Sequence, residues 1–179
     1  HMAWVDSSFP GGRQAFLAAL TPSMRAYFEN VFLALSWYDL LTLASAGHVC
    51  AKTLGLPFRE FIAMRGRHQA KLDTEGMYKV LLRLASPRLI APRIPKVMSQ
   101  YLDFGEVKIK KEEAYGLAFD VTGVPVILSD WMLGVYEGFL DVVIPAAGGT
   151  APILYADVAP QGSAHGFALG TLKVEIRWS

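Results

Sequence analysis

Three histidines beyond the terminal His1, a single cysteine, and a few clustered arginines and carboxylates are the groups from which this chain could build chemistry. His48 and Cys50 stand two positions apart in a stretch of helical periodicity. Residues so spaced leave different sides of a helix, so they do not form one site. Cys50 then reads as a small buried hydrophobe rather than a reactive or acylated thiol, because no neighbour would lower its pKa. His68 closes the run Arg65-Gly66-Arg67-His68. A cationic helical turn suits an anionic ligand or partner, with Arg65 and Arg67 as partner-binding groups; the plainer reading is a solvated basic face. Ser163 and His165 share the run Gly162-Ser163-Ala164-His165-Gly166. A nucleophilic serine needs a base that a third group orients. No such group is visible, and a glycine-rich run between strands reads as a hairpin loop.

Asp130, Glu137 and Asp141 share one helix, and the last two are a turn apart, the spacing of paired carboxylates. Without a metal partner or a nearby histidine they read as its solvent face. Trp37-Tyr38 at a helix start and Trp131 near another could line a cavity, since ligand pockets are mostly apolar with a few placed polar groups. Trp37, Tyr38, Cys50, His68 and Trp131 are therefore the candidate ligand-binding set, although each taken singly also fits a core. There is no Gly-rich phosphate loop, no His-Glu-x-x-His, no nucleophile elbow and no metal-spaced Cys/His cluster. The sequence displays no catalytic constellation.

The elements that must position these groups change character along the chain. The first two thirds read as helices: residues 12–20, then 22–32 with Thr21 as N-cap and Pro22 at the first helical position. Phe28, Val31, Phe32 and Leu35 recur there at helical spacing. Asp39 or Ser36 caps a helix to Leu54, with Gly55 stopping it and Pro57 opening the next, through residue 72. Asp73-Thr74 starts a further helix with Tyr78, Leu81, Leu82 and Ala85 inward. Pro87, Pro92 and Pro95 break the next stretch into short helical pieces.

The last third alternates. Val107 and Ile109 against Lys108 and Lys110 predict a half-buried strand, a Glu112-Glu113 turn leads to a second over residues 115–121, and Ser129 caps a helix over 130–144. In that helix Leu133, Tyr136, Leu140 and Val143 share one face. Residues 151–158 and 168–178 are the remaining strands, the last with Leu172, Val174, Ile176 and Trp178 on one side and Lys173, Glu175 and Arg177 on the other. The expectation is an α+β fold: an N-terminal helical layer followed by a β-β-α-β-β unit with a four-stranded, mostly antiparallel sheet. Residues 1–11 read as a tag scar and tail. Residues 12–179 read as one domain, helical over 12–104 and β-β-α-β-β over 105–179.

Composition narrows the class. The 179 residues are 53% apolar and 18% charged, which excludes disorder as the main state. The mean hydropathy of +0.30 raises a membrane question. A spanning helix needs about 20 consecutive apolar residues. The longest runs are broken by Asp39 and His48, and by Asp130, Glu137 and Asp141, so no span is expected. A lone cysteine suits a reducing cytoplasm. Net charge is +1, but residues 65–111 hold eleven Lys or Arg against four acids, while residues 112–157 hold seven acids and no base. Such polarity suits either mutual neutralisation within one fold or head-to-tail pairing in a homodimer. Basic residues that are not interleaved with aromatics argue against nucleic acid.

Trp37-Tyr38-Asp39, Arg65-Gly66-Arg67, the stretch before Gly105-Glu106-Val107, Tyr136-Glu137-Gly138 and Val174-Glu175-Ile176-Arg177-Trp178 together resemble an uncharacterised paralogous family expanded in myxobacteria. The resemblance spans residues 30–178. That family is similar in layout to the superfamily of the haem-nitric-oxide/oxygen-binding domain, the 4-vinyl reductase domain and trafficking-complex subunits. The likeness implies an apolar cavity for haem, a small molecule or an acyl chain. Haem-binding members carry a proximal histidine ahead of the first strand and a Tyr-x-Ser-x-Arg clamp. Here residues 87–104 contain no histidine and residues 115–120 lack that serine and arginine, which argues against haem bound in that manner and leaves the cofactor unknown. The expected function is a non-enzymatic sensor or signalling module for a small apolar ligand or a protein partner. A homo-oligomeric scaffold is the alternative, and an enzyme or carrier for a hydrophobic substrate is the third.

Overall fold

In the computed structural model, which describes residues 2–33, 36–75 and 86–179, Thr21 and Asp39 both accept main-chain hydrogen bonds at helix starts. Thr21 Oγ1 accepts from Met24 N at 3.4 Å and opens α3 (Pro22–Glu29). Asp39 Oδ1 accepts from Leu41 N at 2.9 Å and opens α4 (Leu40–Leu54). Ahead of them lie α1 (Met2–Ser8) and α2 (Gly12–Ala19). The segment expected to be a tail thus carries a helix, whose Trp4 and Val5 are buried, as is Phe9 after it. Helix α3 stops at Glu29 rather than at residue 32. Asn30 turns extended there, and its side-chain amide donates to Ala26 O at 2.7 Å, satisfying a terminal carbonyl. Leu35 lies outside the described residues. Gly55 ends α4 in the left-handed region at φ 68°, as expected of a glycine there.

Helix α5 (Phe58–Glu75) runs through the expected break at Asp73-Thr74. The Thr74 hydroxyl donates back to Lys71 O at 3.1 Å instead of capping a new helix, and Asp73 accepts from Gln69 Nε2 at 2.8 Å. Tyr78, Leu81, Leu82 and Ala85 lie outside the described residues. The chain divides into two compact units, residues 1–61 and 62–179, with the boundary inside α5.

In the second unit the three prolines shape α6 (Pro87–Ile90), α7 (Arg93–Met98) and a single 3-10 turn, Ser99–Tyr101. Then come β1 (Glu106–Glu113), β2 (Gly116–Pro125), a 3-10 turn Val126–Leu128, α8 (Ser129–Ala146), β3 (Ile153–Ala164) and β4 (Phe167–Arg177). The sheet order is β1-β2-β4-β3, antiparallel throughout. The first hairpin turns at Ala114-Tyr115, because Glu113 still pairs with Gly116. The second turns on His165 and Gly166, both left-handed at φ 50° and 81°, so Ser163 belongs to β3 and pairs with Ala168. Bulges interrupt β1 at Lys110, β2 between Val121 and Val124, and β3 at Gln161. The Gln161 amide oxygen accepts from Gly123 N at 2.7 Å, satisfying a main-chain donor within the β2 irregularity.

One sheet face is dry. Leu117, Phe119 and Val121 of β2 and Leu172, Val174 and Ile176 of β4 are buried against Met132, Leu133, Tyr136, Leu140 and Ile144 of α8. Phe119 meets Tyr136 edge-to-face at 5.5 Å. Ser129 does not cap α8. It is already the first residue inside the helix, at φ −58°, ψ −49°, so the cap position falls on Leu128, whose apolar side chain accepts no hydrogen bond. Its buried hydroxyl has no hydrogen-bond partner among the described residues. No helix among the described residues is long and apolar enough to cross a membrane.

Candidate functional site

In the first unit, aromatic contacts, three edge-to-face and one tilted, lead from the core to the surface. Phe9 meets Phe16 at 5.8 Å, Phe16 meets Phe28 at 5.2 Å, Phe28 meets Phe32 at 6.1 Å, and Phe32 meets Tyr38 at 4.8 Å. Phe16 and Phe28 are buried, whereas Phe32 and Tyr38 are partly open to solvent. The loop joining α3 to α4 carries them. Among its described residues Val31 (82%), Leu33 (62%) and Trp37 (70%) are more exposed still. Two phenols bond to described residues of this loop and its end. Tyr38 Oη donates to Leu33 O at 3.1 Å and accepts from Leu33 N, and Tyr27 Oη donates to Asp39 O at 3.2 Å. Burial, with the Asp39 carboxylate nearby, raises the Tyr27 phenol above its usual range and keeps it a donor.

Cys50 is buried on α4, while His48 is exposed and stacks on Phe58 with ring centroids 3.5 Å apart. The two side chains enter different surroundings, as their spacing requires.

In the second unit, Arg65, Arg67 and His68 follow one another on α5, beside its crossing with α8. Gly66 and Gly138 face each other there. Arg67 Nη1 donates to Asp141 Oδ2 at 2.7 Å, so this solvent-exposed carboxylate also holds an ion pair. Nothing local announces this contact, whose partners are 74 positions apart. Arg65 has its Nε and Nη1 buried, and His68 is half-buried. Trp131, also half-buried, packs against the helix–sheet core. Trp37, Tyr38 and Cys50 thus belong to the first unit, and Arg65, Arg67, His68 and Trp131 to the second.

The wet side of the sheet holds a cleft of about 640 Å³ between Lys111 and Glu113 on β1 and Glu175 and Arg177 on β4, with Tyr115 and Ala118 also lining it. Hydrogen bonding and charge from Lys111 hold the Glu113 carboxyl below its ordinary range, and Glu175 raises Arg177 in the same way. Among the described residues, no three His, Cys, Asp or Glu side chains gather in a way that could hold a metal ion.

No protein-family model matches the sequence, and no curated protein does. Solved structures do match along nearly the whole chain. The Fe(II) unliganded H-NOX protein from K. algicida aligns over 99% of this chain and 92% of its own, with a TM-score of 0.65 at 11% identity. An oxygen-binding H-NOX domain related to soluble guanylate cyclases, in its oxygen complex, aligns over 94% and 86%, with a TM-score of 0.56 at 14% identity. A third structure, from work on modulating haem redox potential through porphyrin distortion, gives 98%, 94%, 0.61 and 16%. The fold is the H-NOX fold. At these identities the likeness concerns fold alone.

The residues present do not fit haem held by a proximal histidine and a Tyr-x-Ser-x-Arg clamp. Residues 87–104, ahead of β1, have no imidazole. At the start of β2, Leu117 and Phe119 turn into the core and Asp120 pairs with Lys110 at 3.4 Å. These positions supply an apolar wall and an anion, where propionates would need cations.

Proposed function

We propose that this H-NOX-fold chain is a non-enzymatic sensor or regulatory module that takes a small apolar ligand on the aromatic face of its first unit. The observation that carries the reading is the run of ring contacts from buried Phe16 through Phe28 and Phe32 to exposed Tyr38, whose neighbour in sequence, Trp37, is exposed as well. Aromatic side chains supply large contact area at low entropic cost, and rings already packed on one another lose less freedom on binding. The apolar part of a protein partner is the second reading for the same face, favoured by the exposure of Val31 and Leu33. The H-NOX fold supports a sensor role, the sequence motifs support the narrower kinship with the myxobacterial family, and the lone Cys50 supports a cytoplasmic setting.

The test is native mass spectrometry of the purified protein with a panel of fatty acids, isoprenoids and tetrapyrroles, followed by titration of tryptophan fluorescence. The expected result is a stoichiometric adduct whose binding is lost in Trp37→Ala. A panel that yields neither adduct nor thermal shift removes the ligand reading, and capture of an apolar peptide by the same loop would favour the second one.

A further inference from the structure

On the wet face of the sheet, one row of side chains alternates in sign across all four strands. The register places Lys108 of β1 opposite Asp120 of β2, Asp120 opposite Lys173 of β4, and Lys173 opposite Asp157 of β3. Lys108, Lys173 and Asp157 are exposed and Asp120 is half-buried. We infer that this face is a self-association surface that takes a second copy of the same chain about a two-fold axis lying along the strands.

Such an axis reverses the strand order while keeping each row at its own level. The row +−+− then meets its own reversal, so Lys108 faces the copy's Asp157 and Asp120 faces the copy's Lys173, at four charge pairs in all. The neighbouring rows match in shape as well as in charge. Ala118 floors a trough on β2, with Gly116 next to it under the Glu113 side chain, and the register sets the two opposite Glu175 and Arg177 of β4. Under the same axis, Arg177 and Glu175 of one copy enter the other's trough. Arg177 arrives beside Glu113, and Glu175 beside Lys111, the residues that wall the cleft. Stacked sheets cross at about 30°, a rotation that flexible Lys and Arg stems absorb. Four strands about 4.8 Å apart and about 27 Å long offer roughly 500 Å² per copy, close to the lower limit for a specific interface. The dimer is therefore weak and salt-sensitive. It does not depend on the ligand reading above, which uses the first unit.

The test is sedimentation equilibrium of the full chain in low salt with two charge reversals, Asp157→Lys and Lys108→Asp. Each alone sets like charges against each other twice in a self-pair, whereas a mixture of the two restores every opposite pair. The wild type should dimerise and dissociate in about 0.5 M salt, where the Debye length is only a few ångströms. Each single variant should dissociate at least tenfold more readily, and the equimolar mixture should regain wild-type mass. Ala118→Arg, which leaves the charge row intact and fills the trough, should also be monomeric, with circular dichroism verifying each fold. A wild type that is monomeric at about 100 µM, where a micromolar complex would be populated, overturns the inference. So do reversed variants that dimerise normally, or a mixture that stays monomeric.

Discussion

Gly138 stands against Gly66 so closely that a Cβ added to it would lie 2.8 Å from Gly66 Cα and 2.2 Å from the Ala63 carbonyl oxygen. Helices α5 and α8 therefore touch backbone to backbone, and the obstacle to any side chain is main chain that cannot swing aside. Gly138→Ala should destabilise the second unit by about 1–3 kcal/mol through overpacking. Gly66→Ala, whose nearest neighbours would be at 3.2 Å, should cost less. Urea midpoints at constant slope would measure both; equal midpoints for wild type and Gly138→Ala would refute the crossing.

The ion pair beside that crossing is a weak fastener. The side chains of Arg67 and Asp141 are 38% and 40% exposed, so solvent screens them. A double-mutant cycle with Arg67→Ala and Asp141→Ala should return a coupling of about 0.2–1 kcal/mol, reduced by salt. A coupling of several kcal/mol would mean that the pair is desolvated.

Alkaline pH should weaken the fold through Tyr136. Burial raises its phenol well above the ordinary value near 10, so the folded chain keeps a proton that the unfolded chain gives up. Stability from this residue is complete below about pH 10 and falls as pH rises beyond it. Tyr27 is shifted in the same direction and adds to the slope. Tyr136→Phe should flatten the alkaline limb of a stability profile measured by urea unfolding; an unchanged limb would assign the loss to other groups.

Trp37 separates binding from folding. It is exposed, so Trp37→Ala should shift stability by no more than about 0.5 kcal/mol while abolishing ligand uptake. Tyr38→Phe keeps the ring and loses both hydrogen bonds to Leu33, so it should weaken binding and quicken amide exchange in the α3–α4 loop. Unaltered exchange would show that the phenol does not hold the loop.

Much of the fold is legible in the sequence because its determinants are local. Thr21, Asp39 and Gly55 do at helix ends what their side chains, or the lack of one, permit anywhere. Val107 and Ile109, like residues 172–176, alternate because one sheet face is dry. Thr74 and Ser129 depart from the expected caps because a hydroxyl can cap a helix, bond back within it or sit silent, and the preceding backbone decides which. The helix at Met2–Ser8 escapes a local reading since its burial depends on residues far along the chain. In the candidate site, the aromatic character of Trp37 and Tyr38 is visible in the sequence. Their outward placement is not, nor is the partnership of Arg67 with Asp141 or of Gly66 with Gly138, all products of tertiary packing.

The bulges at Lys110 and Gln161 interrupt the two outermost strands, and Pro160 removes a donor from the second of them. A sheet margin broken in this way offers no long unpaired ladder to a stranger, with lysines guarding one border as well. Concentrated solutions should accordingly resist fibril growth by strand addition, and stacking through the broad charged side would give closed, reversible pairs in place of open-ended polymers.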